Sequence, residues 1–477
     1  MNSRMHLAVR VWPWVLALLI LFPVLAPGYV LSYDMVFVPD LALRSDFLGL
    51  GSGLPRAVPS DAVVAVLDEL VPGMVLQKAV LVGALVLAGH GARRLVPPDS
   101  GVAQLGATSL YVWNPYVIER LVIGHWPLLV AYAVLPWVID AARRLRAGER
   151  TLAVLVLWLA AAALSASGGV MAGVAAVAFT AGRSRAALRR TGLVVAAAVA
   201  VNAPWLAAGL VHSSSGLTDP AGVEAFAAGG EGKLPMPLAM LSLGGIWNLD
   251  VVPVSRLGLA GVVWLVLVVT VCAAGLRAWL RWLPRRDVAG FVACGVVAAV
   301  VAVAGALAPD VMAWLVGRVP GGGLLRDGAR FLGLLAVVEV SLFGLGASVL
   351  ARLMREQVGN VALAGGAVLM PLALMPDAAA GAAGRLQPVD FPEGYAGARQ
   401  VLVTAAAGMD HGDVLILPFS SYRAPSWNDG HKTLDPLGRY LTPNYIASDD
   451  LFVSGERIAG EDPRARRIAG ALRSSSG

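Results

Sequence analysis

Residues 11–34 read VWPWVLALLILFPVLAPGYVLSYD, an apolar run that ends on a carboxylate, Asp34. Spanning roughly 30 Å of hydrocarbon takes about 20 mostly apolar residues as a helix, because every backbone N–H and C=O must find its partner inside the segment. Runs of this kind recur near 74–91, 99–113, 126–142, 151–166, 169–182, 191–210, 257–276, 288–307, 331–351 and 359–376. The composition agrees: 57% of residues are hydrophobic and 14% charged, against about a quarter charged in soluble domains, and the mean hydropathy is +0.72. The expected fold is an all-α polytopic membrane protein of eleven spans over 1–376, followed by a small extracytoplasmic α/β domain over 377–477.

Charge gives an independent check, since short cytoplasmic loops carry the Lys/Arg excess. With the N-terminus inside, that side receives Arg4, Arg10, Arg93, Arg94, the arginines of 143–150, 183–190 and 277–286, and Arg352 and Arg355. The opposite loops hold fewer cations (Arg44, Arg56, Arg120, Lys233, Arg256, Arg318, Arg326, Arg330) and most of the loop carboxylates. The expected location is therefore the plasma membrane, N-terminus cytoplasmic. The net charge of +6 reads as topology, with no nucleic-acid partner called for. Cys272 and Cys294 both fall inside spans and build neither a disulfide framework nor a zinc site. The N-terminal run also has the outline of a signal peptide ending at Ala26-Pro27-Gly28; on either reading the next loop is outside.

Two outer loops, 30–73 and 211–256, are longer than a helix connection needs, and such loops are commonly functional. In the first, Pro59-Ser60-Asp61 looks like a helix start, with Ser60 as cap, and predicts an interfacial helix over 60–72 behind a Gly49/Gly51/Gly53 connector. The tail predicts a helix near 394–407 and a buried strand over 413–419. Tyr422, Arg423, Trp427, Asn428, Asp429, His431 and Tyr440 follow, as a sugar-lining stretch or an ordinary surface loop.

Three outer segments combine charge with aromatics. Asp34 and Asp40 open the first loop, where a carboxylate serves as a general base or merely caps the span. Between spans three and four, the stretch from Trp113 to Pro127 offers Arg120 and His125 for a phosphate, with Tyr116 and Trp126 as site residues or as an interfacial belt, and Glu119 as a partner of Arg120. Entering span ten, Pro320-Gly321-Gly322-Gly323-Leu324-Leu325-Arg326-Asp327-Gly328-Ala329-Arg330-Phe331 sets Arg326 and Arg330 at i and i+4 on one predicted helical face beside a glycine run. No Gly-Lys-Ser/Thr follows, which excludes a Walker-type loop. Glu339, within span ten, needs a partner, a proton or a wet cavity.

On Tyr33-Asp34, Asn114-Pro115-Tyr116…Glu119-Arg120…Gly124-His125-Trp126-Pro127 and Gly322-Gly323-Leu324-Leu325-Arg326-Asp327…Phe331, the chain resembles the GT-C superfamily of membrane glycosyltransferases that use polyprenyl-phosphate sugars. Within it, residues 10–375 look like the membrane half of the actinobacterial α-(1→3)-arabinofuranosyltransferases of the cell wall. The resemblance implies an acid of the first outer loop as base, onto which Asp34 maps, a laterally bound lipid-phosphate donor and inversion at the anomeric carbon. With it, our reading of the residues places Arg326, Arg330, Arg120 and His125 at the donor phosphate and Tyr33, Glu119, Asp327, Trp126 and Tyr116 at the substrates, and calls for no cofactor, since arginines can neutralise a single leaving phosphate. Two departures stand out: Asp34 is flanked by Tyr33 and Met35 where many relatives carry adjacent acids, and 377–477 is shorter than the outer extension of the large arabinofuranosyltransferases. A sugar (arabinofuranose or mannose) transferred from decaprenyl phosphate to an envelope glycan is the leading expectation. A lipid-linked-sugar flippase and a non-catalytic scaffold of the same fold remain as alternatives.

Overall fold

The computed structural model describes residues 3–51, 53, 57–212, 219–319, 321–406, 412–453 and 455–475; Arg56 and Pro320 fall outside them. A helix stands in each of the eleven apolar stretches: α1 (Ser3–Leu21), α3 (Gly73–Ala92), α4 (Gly101–Val112), α6 (Trp126–Ala147), α7 (Leu152–Ala162), α8 (Ala166–Thr180), α9 (Arg185–Val211), α10 (Leu259–Trp282), α11 (Arg285–Leu307), α12 (Gly333–Leu350) and α13 (Gln357–Leu374). Two shorter helices, α2 (Ser60–Asp68) and α5 (Pro115–Val122), complete the set that frames the site.

Among the described residues, seven helical segments are long and apolar enough to cross a membrane: Ser3–Leu25, Gly73–Leu95, Arg185–Val211, Leu259–Trp282, Arg285–Leu307, Gly328–Leu350 and Gln357–Leu374. The chain is a mostly helical, multi-pass membrane protein. Hydropathy alone does not distinguish lipid from protein as the apolar surroundings. α4, 12 residues long and buried along nearly its whole length, covers only about 18 Å at 1.5 Å per residue and is wrapped by other helices.

α12 is the central helix, with 72% of its most apolar stretch buried, whereas α9 and α13 bury 17% and lie at the periphery. It packs on α10, α4 and α11. Its closest approach is to α10, where a Cβ on Gly346 would collide with the Val271 carbonyl and one on Gly275 with that of Leu342; small residues let membrane helices meet backbone to backbone. The arginine-rich connections converge at one end: Arg143 and Arg146 bind Asp287 at 3.0 and 2.5 Å, and Arg190 donates to the Arg146 carbonyl.

Residues 377–477 sit at the opposite end and are sewn to the helical part. Strand β1 (Tyr29–Val30) pairs antiparallel with β2 (Pro388–Val389), Arg44 Nη1 donates to the Gly438 and Pro443 carbonyls at 2.9 Å, and Asn428 Nδ2 donates to the Leu31 carbonyl at 3.2 Å. The predicted helix is found at Glu393–Ala406. The strand predicted over 413–419 is confined to β3 (Val414–Leu415), with Ile416 buried and Leu415 and Leu417 exposed. Strands here are two or three residues long, in two-stranded sheets; β4 (Tyr422–Arg423) pairs antiparallel with β5 (Thr433–Leu434) as a hairpin. The helix expected over 60–72 is found as α2, ending at Asp68, but its N-cap position is Pro59 and the Ser60 hydroxyl donates instead to the Ala57 carbonyl. Asp61 is taken by Arg439.

Candidate active site

The site starts from the turn between α4 and α6. Asn114 accepts from the Val117 N–H at 3.0 Å, Pro115 supplies the first helical residue, and α5 forms as a short capped helix with all eight residues buried. Gly124 follows at φ 85°; a Cβ there would collide with the Met35 amide, so glycine lets the first loop lie on this turn. The Ser32 hydroxyl donates to the Val122 carbonyl at 2.6 Å and the Asp34 amide to that of Ile123 at 3.1 Å. Asp34 is thereby fixed against His125, whose Nε2 lies 3.3 Å from Asp34 Oδ2.

Tyr422 of the β4–β5 hairpin donates its hydroxyl to Asp34 Oδ1. Protein closes around Asp34, yet 42% of the side chain stays open. Burial, the strongest single influence, pushes its pKa up; the hydrogen bond and field of His125, the Tyr422 hydroxyl and the Arg330 charge together outweigh it and hold the carboxyl below the usual carboxylate range. His125 is lowered as well, by burial first and then by Arg330, so that its titration falls below the usual imidazole value. Neutral His125 fits the geometry: Nε2–H donates to Asp34, and Nδ1, buried without a partner among the described residues, would be an unpaired donor if protonated.

Behind this pair lies a buried charge network. Asp327 Oδ2 receives Arg120 Nη1 at 3.3 Å and Arg330 Nε at 2.9 Å, and Tyr116 donates to the Arg330 carbonyl at 2.6 Å. Burial pushes the Asp327 carboxyl up, but Arg120 and Arg330 dominate and hold it at about 2. Arg330 engages Asp327 through Nε alone; its side chain is 33% exposed, leaving terminal nitrogens for an anion.

The structure separates the residues expected to act together. Asp34, His125 and Arg330 meet. Arg120 is 1% exposed and supports Arg330 through Asp327. Arg326 does not share a helical face with Arg330: the segment is broken into Gly322–Leu325 and Gly328–Leu332, and Arg326 turns to Glu461 at 3.2 Å and over the Phe226 ring at 4.6 Å. Glu119 and Asp327, expected at the substrate, are 2% exposed and serve as buried scaffold, as does Tyr116. Burial and the adjacent Glu231 raise the Glu119 carboxyl well above the usual range, and Glu231 is held by Arg256 at 2.9 Å. Asp40 lies away from Asp34, exposed and paired with Arg399 at 2.6 Å. Tyr33 stays half-buried beside Asp34, and Trp126 packs on Phe37 with ring centroids 5.4 Å apart.

Trp126 also forms one wall of an apolar cavity of about 510 Å³ lined by Val63 and Leu67 of α2, Leu76, Gly83 and Leu87 of α3, and Val130 and Trp137 of α6. It has the size of an ordinary ligand cavity, and its lining includes Trp126, the residue that follows His125 in the chain. Tyr422, from the stretch read as sugar-lining or surface loop, reaches the site; Lys432, Asn248, Asp250, Glu231 and Arg256 complete the surroundings and were not legible as site residues, because long-range contacts bring them in. No family model, no curated protein and no solved structure matches this chain.

Proposed function

We propose that the protein is a membrane glycosyltransferase that moves a sugar, arabinofuranose or mannose, from a decaprenyl-phosphate carrier onto a cell-envelope glycan. The observation that carries this reading is the nearness of two unlike surfaces: an apolar cavity walled by Trp126 and, at the residue before it, the contact of His125 to a carboxylate, Asp34, that also feels the Arg330 charge. A polyprenyl-phosphate sugar has this division, a long hydrocarbon joined through phosphate to a polar ring.

In this reading the acceptor hydroxyl attacks the anomeric carbon while Asp34 takes its proton. The bond from that carbon to the phosphate oxygen breaks, its electron pair stays on the phosphate, and polyprenyl phosphate leaves. A single displacement inverts the anomeric carbon. Arg330 stabilises the departing charge, as fixed donors do where charge develops; Arg120 and Asp327 hold Arg330 in place, and neutral His125, whose one N–H goes to Asp34, orients the base.

The same reading makes 1–376 a GT-C-like module built on the eleven apolar helices, not all of which are long enough to span, with the N-terminus cytoplasmic and 377–477 outside the plasma membrane. Supporting it, the arginine-rich connections lie at the end away from Asp34. Transfer of radiolabelled sugar from synthetic decaprenyl-phosphate arabinose and decaprenyl-phosphate mannose, using purified protein, tests it; Asp34→Asn is expected to abolish transfer with either donor.

One observation favours a second reading, a lipid-linked-sugar flippase: both carboxyl oxygens of Glu339 in α12 are buried without a hydrogen-bond partner among the described residues, and intramembrane acids mark transport pathways. Translocation in liposomes without covalent transfer would select it.

A further inference from the structure

Tyr33, beside Asp34, holds φ at 45°, a left-handed conformation that is costly for a bulky residue and persists only where the surroundings enforce it. Two segments do so. The Tyr33 amide donates to the Lys432 carbonyl and its own carbonyl accepts from Leu434, both at 2.8 Å, so the β4–β5 hairpin grips the turn through its second strand. At the other end of the side chain, the Tyr33 hydroxyl lies in hydrogen-bonding reach of Asn248 and Asp250, from the second long loop. That loop is secured by Arg385, whose Nη1 donates to the Asp250 and Val252 carbonyls at 3.1 and 3.3 Å.

The charges around Tyr33 are arranged without mutual neutralisation. Lys432 Nζ stands 5.8 Å from the Tyr33 ring and 5.5 Å from that of Tyr422, the ring whose hydroxyl reaches Asp34. Asp250 is exposed at the hydroxyl end. Among the described residues, neither Lys432 nor Asp250 has an ion-pair partner, although arginines and carboxylates pair throughout this face. An ammonium that only donates, a carboxylate that only accepts, an amide whose Oδ1 accepts the Asp250 N–H at 3.1 Å and whose Nδ2 donates, and two aromatic rings form a set that matches a polyhydroxylated ring, whose hydroxyls donate and accept while its C–H faces pack on aromatics.

We infer that Tyr33, Asn248, Asp250, Tyr422 and Lys432 form the acceptor-sugar subsite, on the side of Asp34 away from the lipid cavity. The inference rests on the transferase reading and deepens it: three segments far apart in sequence, the first loop, the second loop and the C-terminal hairpin, hold the sugar whose hydroxyl Asp34 deprotonates. Donor phosphate lies with Arg330, acceptor with Lys432 and Asp250, so the two substrates are separately addressable by mutation.

Steady-state transfer from decaprenyl-phosphate arabinose to octyl arabinofuranoside, with octyl mannoside as the second acceptor, tests the assignment on the full chain. Asp250→Asn and Lys432→Met should each raise the acceptor KM at least fivefold while the donor KM stays within twofold; Arg330→Ala should do the reverse. Tyr33→Phe keeps ring and backbone and should raise the acceptor KM alone. Titration of the octyl glycosides followed by tryptophan fluorescence reads binding without turnover, and the same two variants should weaken it at least fivefold. Acceptor KM and binding within twofold of the unsubstituted protein in both Asp250→Asn and Lys432→Met overturn the subsite while leaving transfer intact. An unsubstituted protein that binds the glycosides but transfers from neither decaprenyl-phosphate donor overturns the transferase reading instead.

Discussion

Tyr422 and Asp34 stand 388 positions apart in the chain and share a hydrogen bond, hydroxyl to carboxylate. The C-terminal part of the molecule thus helps set the ionisation of the acid that the first loop presents. A hydrogen bond to the charged form lowers a carboxyl pKa, so removing the donor raises it. The Tyr422→Phe protein should keep its activity at neutral pH, while the acid limb of its pH–rate profile moves to higher pH. His125→Ala should move the limb further in the same direction, since His125 contributes both a hydrogen bond and a field. Initial rates across the acid range check both; an unmoved limb separates Asp34 from the titration.

Asp327 neutralises two arginines from within the protein. Its folded-state carboxyl is held at about 2, below the unfolded value of about 3.9, so its contribution to stability is fully present above about pH 4 and is lost as pH falls through 2. The linkage is worth about 2–3 kcal/mol. Asp327→Asn, which strands buried Arg120, should lower stability by about 3–5 kcal/mol at neutral pH and flatten the loss between pH 4 and 2. Thermal unfolding in detergent at several pH values measures both.

The two arginines beside the glycine run should part in their effects. Arg330→Ala should cut kcat/KM more than a hundredfold, about 3 kcal/mol on the transition state, whereas Arg326→Ala, removing a contact to Glu461 and Phe226, should cost less than tenfold. Equal losses would place both at the phosphate. Asp40→Asn should leave rate and stability nearly unchanged, because its pair with Arg399 is exposed at the carboxylate and such pairs contribute about 0–1 kcal/mol.

Gly83 lines the apolar cavity, and a Cβ there meets nothing within 4 Å. Gly83→Phe should therefore fill part of the cavity without disturbing helix packing. The donor KM should rise several-fold with a decaprenyl chain and remain within twofold with a two-isoprene chain; a uniform rise would argue against hydrocarbon binding at this place.

How far the sequence reached depends on the kind of force involved. Apolar runs located every long helix, because burial in lipid and burial in protein leave the same hydrophobic signature; for the same reason they did not tell lipid-facing α9 from protein-wrapped α4. The position of Asp34 at the end of the first run was legible, as was the turn over 113–127; the Asn114 cap that starts α5 and the left-handed glycine at 124 are local signals that the reading of that turn did not use. What was hidden lies in pairings across the chain. The i, i+4 spacing of Arg326 and Arg330 promised a shared face only if the helix were continuous, and Glu119 looked accessible because nothing local announces that Glu231 and Arg256 bury it. Lys432 and Asp250 carry no motif; the strained turn at Tyr33, seen only in three dimensions, draws them together.

The most direct test of the central claim is the transfer assay with Asp34 altered. With decaprenyl-phosphate arabinose and decaprenyl-phosphate mannose as donors, the unsubstituted protein should transfer sugar, and Asp34→Asn, which keeps shape but not basicity, should lose about 10²–10⁴ in rate while still binding decaprenyl phosphate. Undiminished transfer by the Asp34→Asn protein would contradict the account.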